Sequence, residues 1–510
     1  MRKLSILLLL AVSLSASAQT VELIPPESIG EDLTATWTLV ITALDFGPTS
    51  GNVTVNFYGS PAFPTLVSLP AGCQSIYAPY SALCVVPLIA AGGRLELPFT
   101  VRYDTRYSYV SADANFWDNI DRKEVLFARE FPVTTTADSG PGSLRQAILD
   151  MNAICTGVRE PCAPVFRIDG PVPIEGWFTI YVASPLPAIT ADFLVFEGAT
   201  QTAHTGDTNP AGPEIMLDGA MTVSGHGLEF TGGEGRFSDL AVGHFPGNGI
   251  SSRPQSLTQK LTRIERCHLG MDPSGLRRVP NGTRGVQIEG GWITVMDSLL
   301  GGNLRSGGWF DTAVTAIIVR NRFTDNGASG FYSRIRRETY SIVEVEDNVI
   351  TGNAHAGISL DRQALGNYAN NDFGGNLGRA IDIGIDGPTV AMVPGLPGKG
   401  GIIGMPTVLS ARYENGETVI DVQIAPRSPN NIFRPEIVHF YASPVQKDGG
   451  EHIGTADGYE STVPGRFTLR VERDLRGQWV SAATTAGYYI VDPEAPDVGT
   501  SEISEPRRVE

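Results

Sequence analysis

Three stretches near the start of the chain alternate apolar and polar residues with a period of two: Thr34 to Ala43 (TATWTLVITA), Asn52 to Tyr58 and Arg94 to Arg102. Such alternation gives one apolar face, as a half-buried strand requires. Turn signals at Phe46-Gly47-Pro48 and Ala91-Gly92-Gly93 separate the strands. Residues 19–132 are therefore expected to form a β-sandwich. The period then changes. Ser143 precedes Leu144, Ala147, Ile148 and Met151, apolar positions three and four apart, and this spacing predicts a short helix N-capped by Ser143. Alternation returns at Thr418 to Ile424, Glu436 to Ala442, Arg466 to Val471 and Trp479 to Ala483, closing on TSEIS, and predicts a second sandwich over residues 405–505. The Gly/Pro-rich tract 386–404 before it reads as a linker, and the final SEPRRVE is expected to be disordered.

Between the sandwiches, over residues 133–385, polar residues set the rhythm. Asn303, Asn326, Asn353 and Asn376 recur at spacings of 23, 27 and 23, and Ser298, Asn321, Asn348 and Asn371 keep the same intervals. A coiling chain that adds one rung per turn to parallel sheets stacks equivalent positions ~4.8 Å apart. Asparagine amides stacked in this way can hydrogen-bond along the ladder and satisfy the backbone at a tight corner. The pattern predicts an all-β parallel solenoid. Aligned on the ladder, one corner reads MDSLLGGN, RNRFTDN, DNVITGN and NNDFGGN. Four residues after the ladder asparagine, Gly330-Phe331-Tyr332 matches Gly357-Ile358-Ser359 and Ala380-Ile381-Asp382, with Gly249-Ile250-Ser251 and Gly285-Val286-Gln287 in earlier coils. Glycine there suits either a positive φ or close backbone stacking. One coil departs: ERCHLGMDPSG places Cys267 and Asp272 on the two ladders, and about ten further residues, including Arg277, Arg278 and Pro280, loop out before Gly285.

The segment DSGPGSLRQAI closely resembles the capping segment that opens right-handed parallel β-helix proteins of bacterial envelopes, with Ser143, Leu144, Arg145, Ala147 and Ile148 as the matching positions. The resemblance implies a right-handed parallel β-helix whose open apolar end is covered by the helix. The stretch beginning DLTATWTLVITALDFGP resembles the Ig-like repeat domain common on bacterial envelope proteins. VHFYASP, GRFTLRV, SAATTA and TSEIS resemble the Ig-like domain that trails such β-helices. Those likenesses imply spacer or adhesive modules. ERCHLGMDPSG resembles the family's long coil with an inserted turn, a place where solenoids add binding function.

Composition narrows the compartment and the partners. Arg2 and Lys3, the apolar run Leu4 to Leu14, and Ala16-Ser17-Ala18 have the order of a secretory signal peptide, residues 1–18, with maturation at Gln19. The expected location is periplasmic, envelope-bound or secreted. No later apolar stretch approaches a transmembrane span. Removing Arg2 and Lys3 takes the formal charge from −17 to −19, with no basic stripe to hold nucleic acid. Glycine (58) and proline (35) are abundant and charged residues make up only 18%, the balance of a turn-rich β protein. In an exported chain, Cys73 with Cys84 and Cys155 with Cys162 are expected as local disulfides, leaving Cys267 alone. The alternative is that all five are buried small hydrophobes, which Cys267 fits best.

Candidate chemistry lies beside the ladder. The position two after the corner glycine points outward when its apolar neighbours point in, which aligns Glu229, Ser251, Gln287, Tyr332, Ser359 and Asp382 on one long face. Arg253, Glu289, Arg334 and Asp361 make a neighbouring column. The ligand-binding candidates are Glu229, Gln287, Glu289, Tyr332, Arg334, Asp361 and Asp382; the ligand expected is a polysaccharide or cell-surface glycan. The bland alternative is a solvated sheet with charges paired between rungs. For a lyase, Arg334 would be the base between Glu289 and Asp361. For a hydrolase, carboxylates such as Asp361, Asp382 and Asp386 must converge. Trp292 and Trp309 could stack on sugar rings. Asn367, Asn370, Asn371 and Asp372 offer oxygens to Ca²⁺, although asparagine-rich corners serve the ladder first, and no zinc motif or GxSxG elbow is present. The leading expectation is non-catalytic adhesion or glycan binding, with a polysaccharide lyase or glycosidase as its rival.

Overall fold

The computed structural model describes residues 19–384 and 405–510, apart from 45–47, 61, 77–78, 117–118, 254–260, 335–342, 361–367, 369, 425–435, 458–464, 487–500 and 502. The signal-peptide and linker segments inferred from sequence lie outside the described residues. The chain is mostly β and divides into two compact units, residues 1–129 with 159–161, and residues 130–158 with 162–510.

In the first unit two antiparallel sheets enclose one core, in which Trp37, Phe57 and Phe99 are fully buried. Thr34–Ala43 pairs with Arg94–Arg102, and Thr49–Ser60 pairs with Ser81–Ile89 and Ser108–Phe116. Cys73 and Cys84 face each other across adjacent strands and form a disulfide.

The second unit opens with the helix α1, Leu144–Cys155. Ser143 is its N-cap, its hydroxyl accepting from the Gln146 N–H at 3.2 Å. Leu144, Ala147, Ile148 and Met151 are buried against the first coils, so the helix covers the apolar end of the solenoid. Arg145 fastens it, donating to the carbonyls of Asp138, Ser184 and Pro185 and to the Asp138 carboxylate. A disulfide between Cys155 and Cys162 ties the helix to the strand Pro161–Phe166.

Two parallel sheets then run along the coils. Among the described residues the larger has 13 strands, including Phe193–Glu197, Val286–Met296, Gly308–Val319, Phe331–Arg334, Ile358–Leu360 and Ile381–Ile383. The smaller has 8, ending with Leu299–Gly301, Arg322–Thr324, Val349–Thr351 and Asp372–Gly374. Equivalent apolar residues stack inward, as Phe166, Phe196 and Phe237 do with centroids 5.8 and 6.2 Å apart.

Both asparagine ladders form. Asn321 Oδ1 accepts from Ser298 N–H at 3.0 Å, and Asn348 and Asn371 repeat the bond to the coil before. Asn326, Asn353 and Asn376 do the same for Asn303, Asn326 and Asn353. One assignment is corrected. Cys267 stands on its ladder, its N–H donating to Ser298 Oγ, but the second ladder position of that coil is held by Asn281, not Asp272. The extra residues therefore fall before the ladder asparagine: Met271 and Arg278 bridge in an antiparallel turn, and Asp272 caps it by accepting from Ser274 Oγ and Arg277 N–H. The corner glycines resolve to close stacking rather than positive φ. A Cβ on Gly330 would lie 2.6 Å from the Gly357 carbonyl oxygen, and one on Gly357 would lie 2.7 Å from that of Ala380. Positive φ falls instead on the residue just before most ladder positions, as at Asp297, Arg320 and Asp347 on one ladder and Gly302, Asp325, Gly352 and Gly375 on the other.

The last coil is closed by the C-terminal segment. Its two antiparallel sheets, Thr407–Glu414 with Glu417–Gln423 and Arg466–Val471, and Glu436–Ser443 with Glu451–Asp457 and Trp479–Ala486, share a core of their own. Tyr441 and Ala483 of the second sheet, with Ile503 from the segment before Arg507–Arg508, join the solenoid core. The expected terminal disorder is not observed: Arg507–Arg508 pairs with Trp479 and Val480, and Val509 is buried, because the strand beside them has an unpaired edge to fill.

Candidate functional site

The outward column is continuous. Parallel pairing places Glu229, Ser251, Gln287, Trp309, Tyr332, Ser359 and Asp382 side by side on successive rungs, while Val286, Phe310, Phe331, Ile358 and Ile381 between them point into the core. Trp309, considered above as a stacking residue, belongs to this column six residues after Asn303, as Tyr332 is six after Asn326. The neighbouring column carries Glu289, Asp311 and Arg334, and Asp311 is the member that the glycine alignment missed. Arg334 ends its strand opposite Asp311; its side chain, like the whole of Asp361, Asn367 and Asp386, lies outside the described residues.

Several of these side chains are already engaged. Gln287 Oε1 accepts from Asn248 Nδ2 at 3.1 Å and from Arg284 at 3.0 Å, and its amide donates to Glu289. Glu289 also pairs with Arg253 at 3.2 Å. The upper end of the column is thus made of paired polar groups, but Ser251 and Gln287 are buried rather than solvated as the bland reading expects. Further down the aromatic members change its character. Trp309 and Tyr332 stack with centroids 4.4 Å apart, and the Arg284 guanidinium lies 4.2 Å over the Trp309 ring. Burial, with Arg305 and Arg253 nearby, lowers the Arg284 pKa from its ordinary value, against the pull of Glu289.

Beside this stack is a groove of about 240 Å³, lined by Arg284, Arg305, Ser306, Trp309, Ser329, Tyr332, His355, Ser359 and Asp382. The turn residues Arg305, Ala328 and His355 stack through backbone bonds, each N–H donating to the carbonyl one coil earlier. They sit two residues after the ladder asparagines, so the same interval that finds Tyr332 would have found them. The groove thus has a cationic end, an aromatic wall, a row of hydroxyls and one carboxylate at the far end. Glu229 and Glu289 are not part of its lining. Among the described residues, no three His, Cys, Asp or Glu gather to hold a metal ion, and no helix is long and apolar enough to cross a membrane. Of the groups considered for Ca²⁺, Asn371 Oδ1 accepts from Asn348 and Asp372 Oδ1 from His452 N–H, while the Asn370 amide nitrogen donates to Asp347.

No curated protein matches the chain. Solved structures similar in part include the GH20 exo β-N-acetylglucosaminidase from Vibrio harveyi in complex with N-acetylglucosamine, at 13% identity over 24% of this chain and 22% of that chain, TM-score 0.14. An inactive mutant of that enzyme matches at 12% identity over 24% of this chain and 21% of that chain, also with a TM-score of 0.14. The matched part is about a fifth of each of those chains, an overlap that carries no argument about activity. Residues 223–388 match the family model described as Right handed beta helix region, and the coils built on the asparagine ladders are that region.

Proposed function

We propose that this chain is an exported, non-catalytic β-helix that binds a carbohydrate along its outward face, with the flanking sandwiches serving as Ig-like spacers. The observation that carries the reading is the groove beside Trp309 and Tyr332. Its volume of about 240 Å³ suits a sugar ring better than a larger ligand. Arg284 and Tyr332 cover the Trp309 ring, so a pyranose would set its apolar face on the Tyr332 ring, and the hydroxyls of Ser306 and Tyr332 match its polar edge, while that of Ser329 is shared with Ser359. Arg284 and Arg305 favour a sugar bearing a carboxylate or sulfate at that end. A chain of formal charge −17 that gathers arginines in one groove supports an acidic glycan as partner.

An array of neutral and acidic oligosaccharides tests this, run beside reducing-sugar and unsaturated-uronate assays. The native chain is expected to retain acidic glycans without turnover, and Tyr332→Ala to weaken retention by about tenfold, the scale of one lost stacking contact. Asp382 lies in the same groove and gives the enzymatic reading its foothold. Turnover that disappears in Asp382→Ala, Arg334→Ala or Asp361→Ala would establish a lyase or glycosidase instead. Neither binding nor turnover would leave the β-helix as a rigid stalk.

A further inference from the structure

The seat of the C-terminal sheet on the last coil contains an arrangement that the groove does not explain. Two histidines, His439 and His452, face each other there with ring centroids 5.6 Å apart. His439 is 5% exposed, and neither of its ring nitrogens has a hydrogen-bond partner; the same holds for His452 Nε2. Tyr441, fully buried, lies edge-on to His452 at 5.6 Å and edge-on to Phe373 of the last coil at 6.0 Å. The rings therefore form a chain from solenoid core to sandwich. Around them the two parts are joined by directional bonds: Phe373 N–H donates to the Gly450 carbonyl, Ala380 N–H to Asp448, and His452 N–H to Asp372. Arg379 crosses the rim to the Ile503 carbonyl and to Glu505.

A buried imidazole with no acceptor is tolerable only while neutral. We infer that this seat is a proton-operated latch, closed while His439 and His452 are neutral and released when they take up protons. Burial pushes His439 down to about 3, and the neighbouring His452 works the same way. Burial also lowers His452, against the pull of the Asp372 and Asp347 carboxylates on the last coils. The other charged groups at the joint are engaged: Asp448 and Glu505 with Arg379, and Glu451 with Arg473. Tyr441 stays protonated, its pKa raised by burial. Once the joint opens, both rings regain an ordinary value of about 6.5. The closed state is therefore fully favoured above that pH and loses ground from 6.5 downwards, by up to about tenfold per pH unit for each histidine.

Hydrogen exchange on the full chain at pH 7.5 and 5.5, corrected for intrinsic rates, tests the latch. Peptides covering Phe373, Ala380 and His452 are expected to lose about tenfold in protection at pH 5.5, while peptides covering Asn303 and Asn326 do not. In His439→Phe, which keeps a ring but cannot charge, most of that loss should vanish. Equal protection of the joint at both pH values would overturn the inference, and so would loss shared equally by the ladder peptides. A His439→Phe chain that loosens as much as the native one would overturn it too. If that variant does not fold, His452→Phe, expected to recover part of the loss, takes its place against the native comparison.

Discussion

Each ladder asparagine inside the stack bonds through its amide in both directions along the coils. Asn326, 1% exposed, receives Asn303 N–H and Nδ2 on its oxygen and donates to the Leu300 carbonyl and Asn353 Oδ1. Asn326→Ala would orphan at least one buried donor and one acceptor, each costing about 1–3 kcal/mol. A loss of about 3 kcal/mol is expected in urea unfolding of the β-helix, and a change below 1 kcal/mol would show that water replaces the amide. Arg320 offers the contrast. It meets Asp297 in a two-bond pair beside the other ladder but in solvent, so Arg320→Ala should be a small and salt-sensitive change. The ladder was legible because an amide that must stack cannot drift from its interval. Asn281 was not, because Asp272 stands five residues after Cys267, the same offset that separates Ser298 from Asn303. The turn inserted between Met271 and Arg278 carries the true ladder residue further along the chain.

The helix and the strands that flank the coils show which elements a sequence can specify. Helix α1 was readable from its cap and apolar spacing, since both are local. The groove was only half readable: Tyr332 and Asp382 follow from the glycine alignment, and Arg305 and His355 keep a fixed interval after the ladder asparagines, but that interval does not say that turn side chains reach the groove. The C-terminal strand Arg507–Arg508 was missed because its pairing partner lies far from it in sequence. Helix α1 also carries a prediction. The Cys155–Cys162 bond closes a loop of 7 residues between the helix end and the first coils. Chain entropy assigns a loop of that size about 2–3 kcal/mol. Replacing both cysteines with serine should cost about that much, and exchange should rise first in the peptide 144–155. Faster exchange spread evenly over all coils would instead mean that the cap and solenoid unfold as one.

At the scale of the whole molecule, stability follows the division of its cores. The first unit encloses Trp37, Phe57 and Phe99 in a cluster of its own. The solenoid core, by contrast, continues from the helix at one end to Tyr441, Ala483 and Ile503 at the other, so the C-terminal sheet and the coils share buried surface. Units that share a core unfold together, and those that do not can unfold separately. Calorimetry at neutral pH should therefore resolve the N-terminal sandwich from a larger transition containing β-helix and C-terminal sheets. Phe57→Ala, at a site with 0% exposure, should remove about 3–5 kcal/mol from the first transition alone. If it lowers both, the two units are energetically one. Acidification gives the second half of the test. As pH falls from 6.5, proton uptake by His439 and His452 weakens the shared seat, so the larger transition should split, the C-terminal sheets melting earlier than the laddered coils, whose ladder bonds run between uncharged amides.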